Sequence, residues 1–201
     1  AAGRSIAAGA GQALKPSSME LGGADAFIVL EDADMDHALK WAVWGRMYNA
    51  GQACVASKRF IIVERVADAF IEKFQAGRNA LEAGDPLDEK TTLGPLSTEQ
   101  ALVNLLQQVD VAVQHGATVV MGGKRLNREG SYMQPTILTD VTPDNPAFRD
   151  EFFGPVAMIF RVKDEAAAIA LANDSDFGLG GSVFTGDLER GKRVASAVDT
   201  G

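Results

Sequence analysis

The chain has 201 residues, 46% hydrophobic and 23% charged, enough for one globular core or slightly more. A formal charge of −8 and a pI near 4.8 argue against a nucleic-acid partner, which wants a basic face. No apolar run approaches the roughly 18 residues of a membrane span. A single cysteine excludes an internal disulfide, and the two histidines, His37 and His115, are too far apart for a metal site of the usual kind. The opening Ala-Ala-Gly-Arg-Ser-Ile-Ala-Ala lacks the features of a signal peptide, and with the lone thiol this leads to the expectation of a cytoplasmic protein.

Residues 1–14 are alanine-rich and read as a small-residue helix that Pro16 ends, followed by an extended stretch to Leu21. After Gly22-Gly23, residues 26–30 form a short buried strand of the parallel-sheet kind. Asp32 or Asp34 can cap a helix running from Met35 to Tyr48, with Trp41 and Trp44 on neighbouring faces, where packing is the simplest role. Residues 59–63 are a strand and 66–81 an amphipathic helix with Phe70, Ile71 and Phe74 inward. Residues 84–90 are a polar loop.

A helix from Ser97 to about His115 leads into a strand at 118–121 and a Gly122-Gly123 turn. Residues 133–141 are extended, with Pro135 marking an edge or a strand start. A turn or short helix at 148–154 precedes a strand at 156–162 and an alanine-rich helix at 165–173. A glycine-rich turn then enters a strand near 181–185, and a last helix covers 187–198. Strands alternating with helices predict an α/β fold, a three-layer domain with a mainly parallel sheet and right-handed crossovers.

Cys54 lies at the helix-to-strand junction Tyr48-Asn49-Ala50-Gly51-Gln52-Ala53-Cys54. A free cysteine is first of all a small buried hydrophobe, but Gly51 and Ala53 allow a ligand close to the backbone. Two carboxylates stand out beside turns: Glu20 before Leu21-Gly22-Gly23, and Glu151 before Phe152-Phe153-Gly154-Pro155. Taken singly, each is a solvated surface glutamate.

Together, in this order and spacing, Glu20-Leu21-Gly22-Gly23, Gly51-Gln52-Ala53-Cys54 and Glu151-Phe152-Phe153-Gly154-Pro155-Val156 resemble motifs of the aldehyde dehydrogenase superfamily. Gly84-Asp85-Pro86 and Leu93-Gly94-Pro95-Leu96 match its intervening loop. The resemblance implies oxidation of an aldehyde with NAD or NADP. Cys54 would be the nucleophile, its backbone N–H an oxyanion donor, and Glu20 the base that activates water, favoured by the apolar neighbours Met19 and Leu21.

It implies further that Glu151 holds the nicotinamide ribose, that Phe153 packs near the nicotinamide, that Leu21 and Gly22 border it through the backbone, and that Tyr48 lines the substrate tunnel. Residues 1–20 would be the last helix and strand of a cofactor-binding domain, and 21–201 a catalytic domain cut short at its C-terminal end. The isolated chain is then expected to be inactive, and the whole protein a homodimer or homotetramer.

The likeness is greatest to bacterial succinate-semialdehyde dehydrogenases, in residues 27–30 and 59–62. Some of those carry an arginine where Tyr48 stands, and Arg46 is two residues off that position. Another small aliphatic aldehyde, a non-catalytic relative of the same fold, and a thiol hydrolase are the alternatives.

Overall fold

A computed structural model describes residues 2–200. Six strands form one sheet in the order β3-β4-β5-β2-β1-β6, all neighbours parallel except β3 and β4. The strands are β1 (Ala26–Val29), β2 (Arg59–Val63), β3 (Thr118–Met121), β4 (Thr136–Thr139), β5 (Val156–Val162) and β6 (Gly181–Phe184). Nearly every residue of β1, β2 and β5 is buried, so these are two-sided strands whose apolar runs serve both faces of the sheet.

Side-chain alternation divides the core in two. Phe27, Val29, Phe60, Ile62 and Ile159 point to the face covered by α2 (Met35–Met47) and α3 (Glu64–Asn79), where Phe70 and Phe74 are fully buried. Ile28, Ile61, Met158 and Phe160 point to the other face, with α4 (Glu99–Gln114), α5 (Glu165–Asn173) and α6 (Leu188–Ser196). The three-layer α/β expectation matches this arrangement. The remaining helix, α1 (Ala2–Gln12), buries only Gly3, which packs against the Leu21 side chain.

Helix starts follow capping chemistry. Asp34, rather than Asp32, caps α2 by accepting from the N–H groups of Asp36 and His37, while Asp32 instead accepts from Thr185. Thr98, Asp164 and Asp187 cap α4, α5 and α6 in the same way. Pro135 stands at a strand start, because β4 is interior between β3 and β5. Trp41 and Trp44 depart from a packing role inside the core: both are exposed on α2.

β1, β2 and β5 are adjacent and parallel, with Ala26 opposite Arg59 and Arg59 opposite Met158. Residues just before each of these strands are therefore stacked along one edge of the sheet. Gly22-Gly23, Cys54 and Glu151 all occupy such positions.

Arg59 locks this edge to the helical layer. Its buried guanidinium donates to the carbonyls of Ala24, Leu171 and Ala172 at 2.9, 2.9 and 2.7 Å, capping the C-terminal end of α5. Replacing it with methionine would strand those carbonyls, so Arg59→Met is expected to lower stability by about 3 kcal/mol. Arg161→Met, which breaks exposed pairs to Glu64 and Asp68, should cost under about 1 kcal/mol. Urea unfolding of the two variants checks the difference; equal losses would contradict this account.

Candidate active site

The approach to Cys54 is a left-handed turn. α2 ends at Met47, and Asn49, Ala50 and Gly51 have φ of 51, 54 and 76°. Two consecutive non-glycine residues there cost energy, which the surrounding packing must hold. At Gly51 no side chain fits: a Cβ would lie 2.2 Å from the Gly154 carbonyl oxygen. The thiol loop is thereby pressed against the loop that carries Glu151.

Two buried cations lie under the loop. Lys58 Nζ donates to the carbonyls of Ala53, Cys54 and Ala56 at 3.2, 3.0 and 3.0 Å. Arg46 donates to the carbonyls of Gly51, Ser57 and Ala56 at 2.5, 3.1 and 3.4 Å. Both side chains are fully buried. Burial pulls Lys58 down to about 8, aided by the Arg46 charge and opposed by Glu151 and Asp25. Burial likewise pulls Arg46 down to about 9, again opposed by Glu151 and Asp25.

Glu151 meets both the glycines and the cation. Its Oε1 accepts from the Gly23 N–H at 3.0 Å and lies 3.5 Å from Lys58 Nζ. Its Oε2 lies 2.4 Å from where a Cβ on Gly22 would stand, and a Cβ on Gly23 would stand 2.4 Å from the Cys54 carbonyl oxygen. The double glycine is thus the thin layer between a carboxylate and the thiol loop. Gln52 ties the same loop outward: its Oε1 accepts from the Ser97 N–H at 2.7 Å and its Nε2 donates to the Pro95 carbonyl at 3.3 Å. The motifs around Gly22, Cys54, Pro95 and Glu151 are one contiguous structure.

Cys54 is half-buried. Its loop borders two hollows that share Trp44. One, of about 990 Å³, is lined by Gln52, Tyr48, Trp44 and Phe153 among others; the second, of about 550 Å³, by Val55, Trp41, His37 and Asp25. Cys54 itself lines neither; its loop neighbours Gln52 and Val55 line one each. Tyr48 and Phe153 face the larger hollow, 57% and 47% exposed. Leu21 is exposed and touches Gly3 of α1. Glu20 is exposed rather than enclosed by Met19 and Leu21, so the apolar pocket expected around it is not formed by these residues.

Periodicity in the sequence gives no sign that Lys58 and Arg46 support the thiol loop from beneath. The signal for the cations is chemical rather than periodic: two long basic side chains flank a run of small residues whose carbonyls need donors.

The aldehyde dehydrogenase family model matches residues 1–201, and the chain belongs to that family. It is 52% identical over 200 residues to a succinate-semialdehyde dehydrogenase [NADP(+)] of Deinococcus radiodurans, covering 100% of this chain and 42% of that protein. It is 48% identical to the succinate semialdehyde dehydrogenase [NAD(P)+] Sad of Escherichia coli K12, covering 100% of this chain and 43% of that protein. Among solved structures, succinic semialdehyde dehydrogenase from Streptococcus pyogenes in complex with NADP+ superposes with a TM-score of 0.97 at 46% identity, over 100% of this chain and 44% of that one. The chain thus spans less than half the length of these relatives.

Gly23→Ala forces the Cys54 carbonyl away from Lys58 and is expected to cost about 2 kcal/mol and to change the rate at which iodoacetamide alkylates Cys54. Gly9→Ala in α1, where a Cβ meets nothing within 4 Å, should be neutral or stabilising by up to about 1 kcal/mol with alkylation unchanged. Denaturation and alkylation of both variants decide it; an unaltered thiol in Gly23→Ala would contradict the close contact.

Proposed function

We propose that this chain supplies the thiol-bearing part of an NAD(P)+-dependent aldehyde dehydrogenase that oxidises succinate semialdehyde, or a similar small semialdehyde, to the carboxylic acid. The observation that carries the reading is the convergence of Cys54, the Gly22-Gly23 pair and Glu151 at one edge of the sheet. Family membership supports the reaction class, and the names of the relatives support the substrate.

The residues present fit a nicotinamide cofactor. Glu151 Oε2 accepts no hydrogen bond among the described residues, which leaves it free for a ribose hydroxyl. Gly22 offers backbone without a side chain beside it, and Phe153 is an exposed ring on the adjoining hollow. Leu21 continues the backbone border. The nicotinamide, when bound, supplies the hydride acceptor.

The chain's own chemistry is then as follows. The Cys54 thiolate adds to the aldehyde carbon, forming a C–S bond and placing negative charge on oxygen. The Cys54 backbone N–H faces that oxygen as donor. Re-formation of the C=O as hydride departs leaves a thioester on Sγ. Glu20, exposed to solvent, takes a proton from water, whose oxygen attacks the thioester carbon; the C–S bond breaks and thiolate and acid are released. Residues 1–20 fall to the cofactor side of this division and 21–201 to the catalytic side. The homo-oligomer and the cytoplasmic location belong to the same proposal.

The test is NAD(P)H formation by the whole protein across a panel of small aldehydes. Activity with a semialdehyde is expected, abolished in Cys54→Ala. In Glu20→Gln a single turnover of NAD(P)H per site should persist while the steady rate falls by about 10²–10⁴-fold. Cofactor binding without turnover of any aldehyde would favour the non-catalytic relative instead.

A further inference from the structure

A trans peptide unit points its C=O and its N–H in opposite directions. The carbonyls of Ala53 and Cys54 both turn inward onto Lys58 Nζ. The N–H groups of Cys54 and Val55 must therefore turn outward, and among the described residues neither has an acceptor. The same ammonium is the counter-ion of Glu151, holding Oε1 and leaving Oε2 free.

We propose that Lys58 is a positioning residue for both halves of the site: its ammonium aims the backbone donor of Cys54 at the reacting oxygen and fixes the carboxylate of Glu151 toward the cofactor. The inference rests on the proposed function and adds to it the residue through which its thiol and cofactor parts are joined. Arg46 cannot substitute, because its guanidinium is engaged by the carbonyls of Gly51, Ala56 and Ser57 and makes no bond to those of Ala53 and Cys54.

The groups facing Lys58 are Glu151 and Asp25, which favour its charge, and Arg46, which opposes it. Asp25 is held by the Gly180 N–H, and burial raises its carboxyl, against the lowering effect of Lys58. Lys58, lowered to about 8, gives up its charge before Arg46, lowered to about 9, as pH rises. Cofactor binding favoured by the ammonium is present below about pH 8 and lost as pH rises through that value.

The experiment uses the whole protein, with NADPH binding read by fluorescence and Cys54 reactivity read by iodoacetamide. In the wild type the NADPH dissociation constant should be flat to about pH 8 and rise severalfold by about pH 9.5. Lys58→Met should raise it about tenfold at neutral pH, abolish the alkaline rise, and alter the alkylation rate. Its turnover should fall about a hundredfold, the scale of a lost oxyanion donor. Glu151→Gln should raise the dissociation constant while leaving alkylation near wild type.

A folded Lys58→Met with wild-type binding and alkylation would overturn the assignment. Lys58→Gln carries the same two readouts if the methionine variant fails to fold, and wild-type binding and alkylation there would overturn it equally. Failure to oxidise any aldehyde would overturn the proposed function, and the binding and alkylation readouts would still judge Lys58 separately.

Discussion

The burial of two cations beneath a loop of small residues is the constraint on which the rest of the site depends. Removing an ammonium and a guanidinium from water costs several kcal/mol each unless dipoles or counter-charges replace the lost solvation. Here six carbonyl contacts from residues 51–57 do so, together with Glu151. The exchange works in both directions: the cations need the carbonyls, and the loop has a defined shape because its carbonyls converge. Arg78 is the contrast. It is also fully buried, but it has only the Pro155 carbonyl, the Met47 sulfur and the Phe74 ring, and two of its nitrogens have no partner among the described residues, against the Nε alone of Arg46.

That loop is placed by the sheet. Ligands of open α/β folds usually sit outside the carboxyl ends of the strands. In this chain the motif residues precede β1, β2 and β5, so they gather at the opposite, amino-terminal edge. Parallel pairing makes the gathering automatic: once Ala26, Arg59 and Met158 are neighbours, whatever precedes them is brought together. β6 joins the group, since Phe177 and Leu179 just before it pack against Gly22 and Gly23. Chain separations of about thirty and about a hundred residues are thus cancelled first by register, and the Gly23–Glu151 and Lys58–Glu151 contacts then fasten the gathered segments.

The fold was largely legible in the sequence because its strands are uninterrupted apolar runs and its helices have plain caps. The extent of β5 and of α5 coincides with the pattern, and α3 differs only in starting two residues earlier and ending two earlier. Cys54, Glu151 and the double glycine were legible through their resemblance to a family, since neither hydrophobic period nor composition brings them together. The left-handed stretch at Asn49 and Ala50 was not legible: neither residue demands positive φ, and it runs directly into Gly51, which packs on Gly154. The cationic support was hidden for a related reason. Lys58 and Arg46 look like surface charges until the carbonyls of a loop are folded onto them.

The same geometry bears on what the site can recognise. A semialdehyde bearing a carboxylate calls for a cation near the substrate, and Arg46 is the basic residue nearest in sequence to the Tyr48 position. Its guanidinium is buried and occupied by three loop carbonyls, so it cannot turn outward without dismantling the thiol loop. Tyr48 itself presents an exposed phenol tilted against Trp44, with ring centroids 5.2 Å apart, an apolar face with one hydroxyl and no charge. Discrimination for a carboxylate therefore falls to groups other than Arg46. Of the two, Tyr48 lines the larger hollow and Arg46 holds the backbone of the thiol loop.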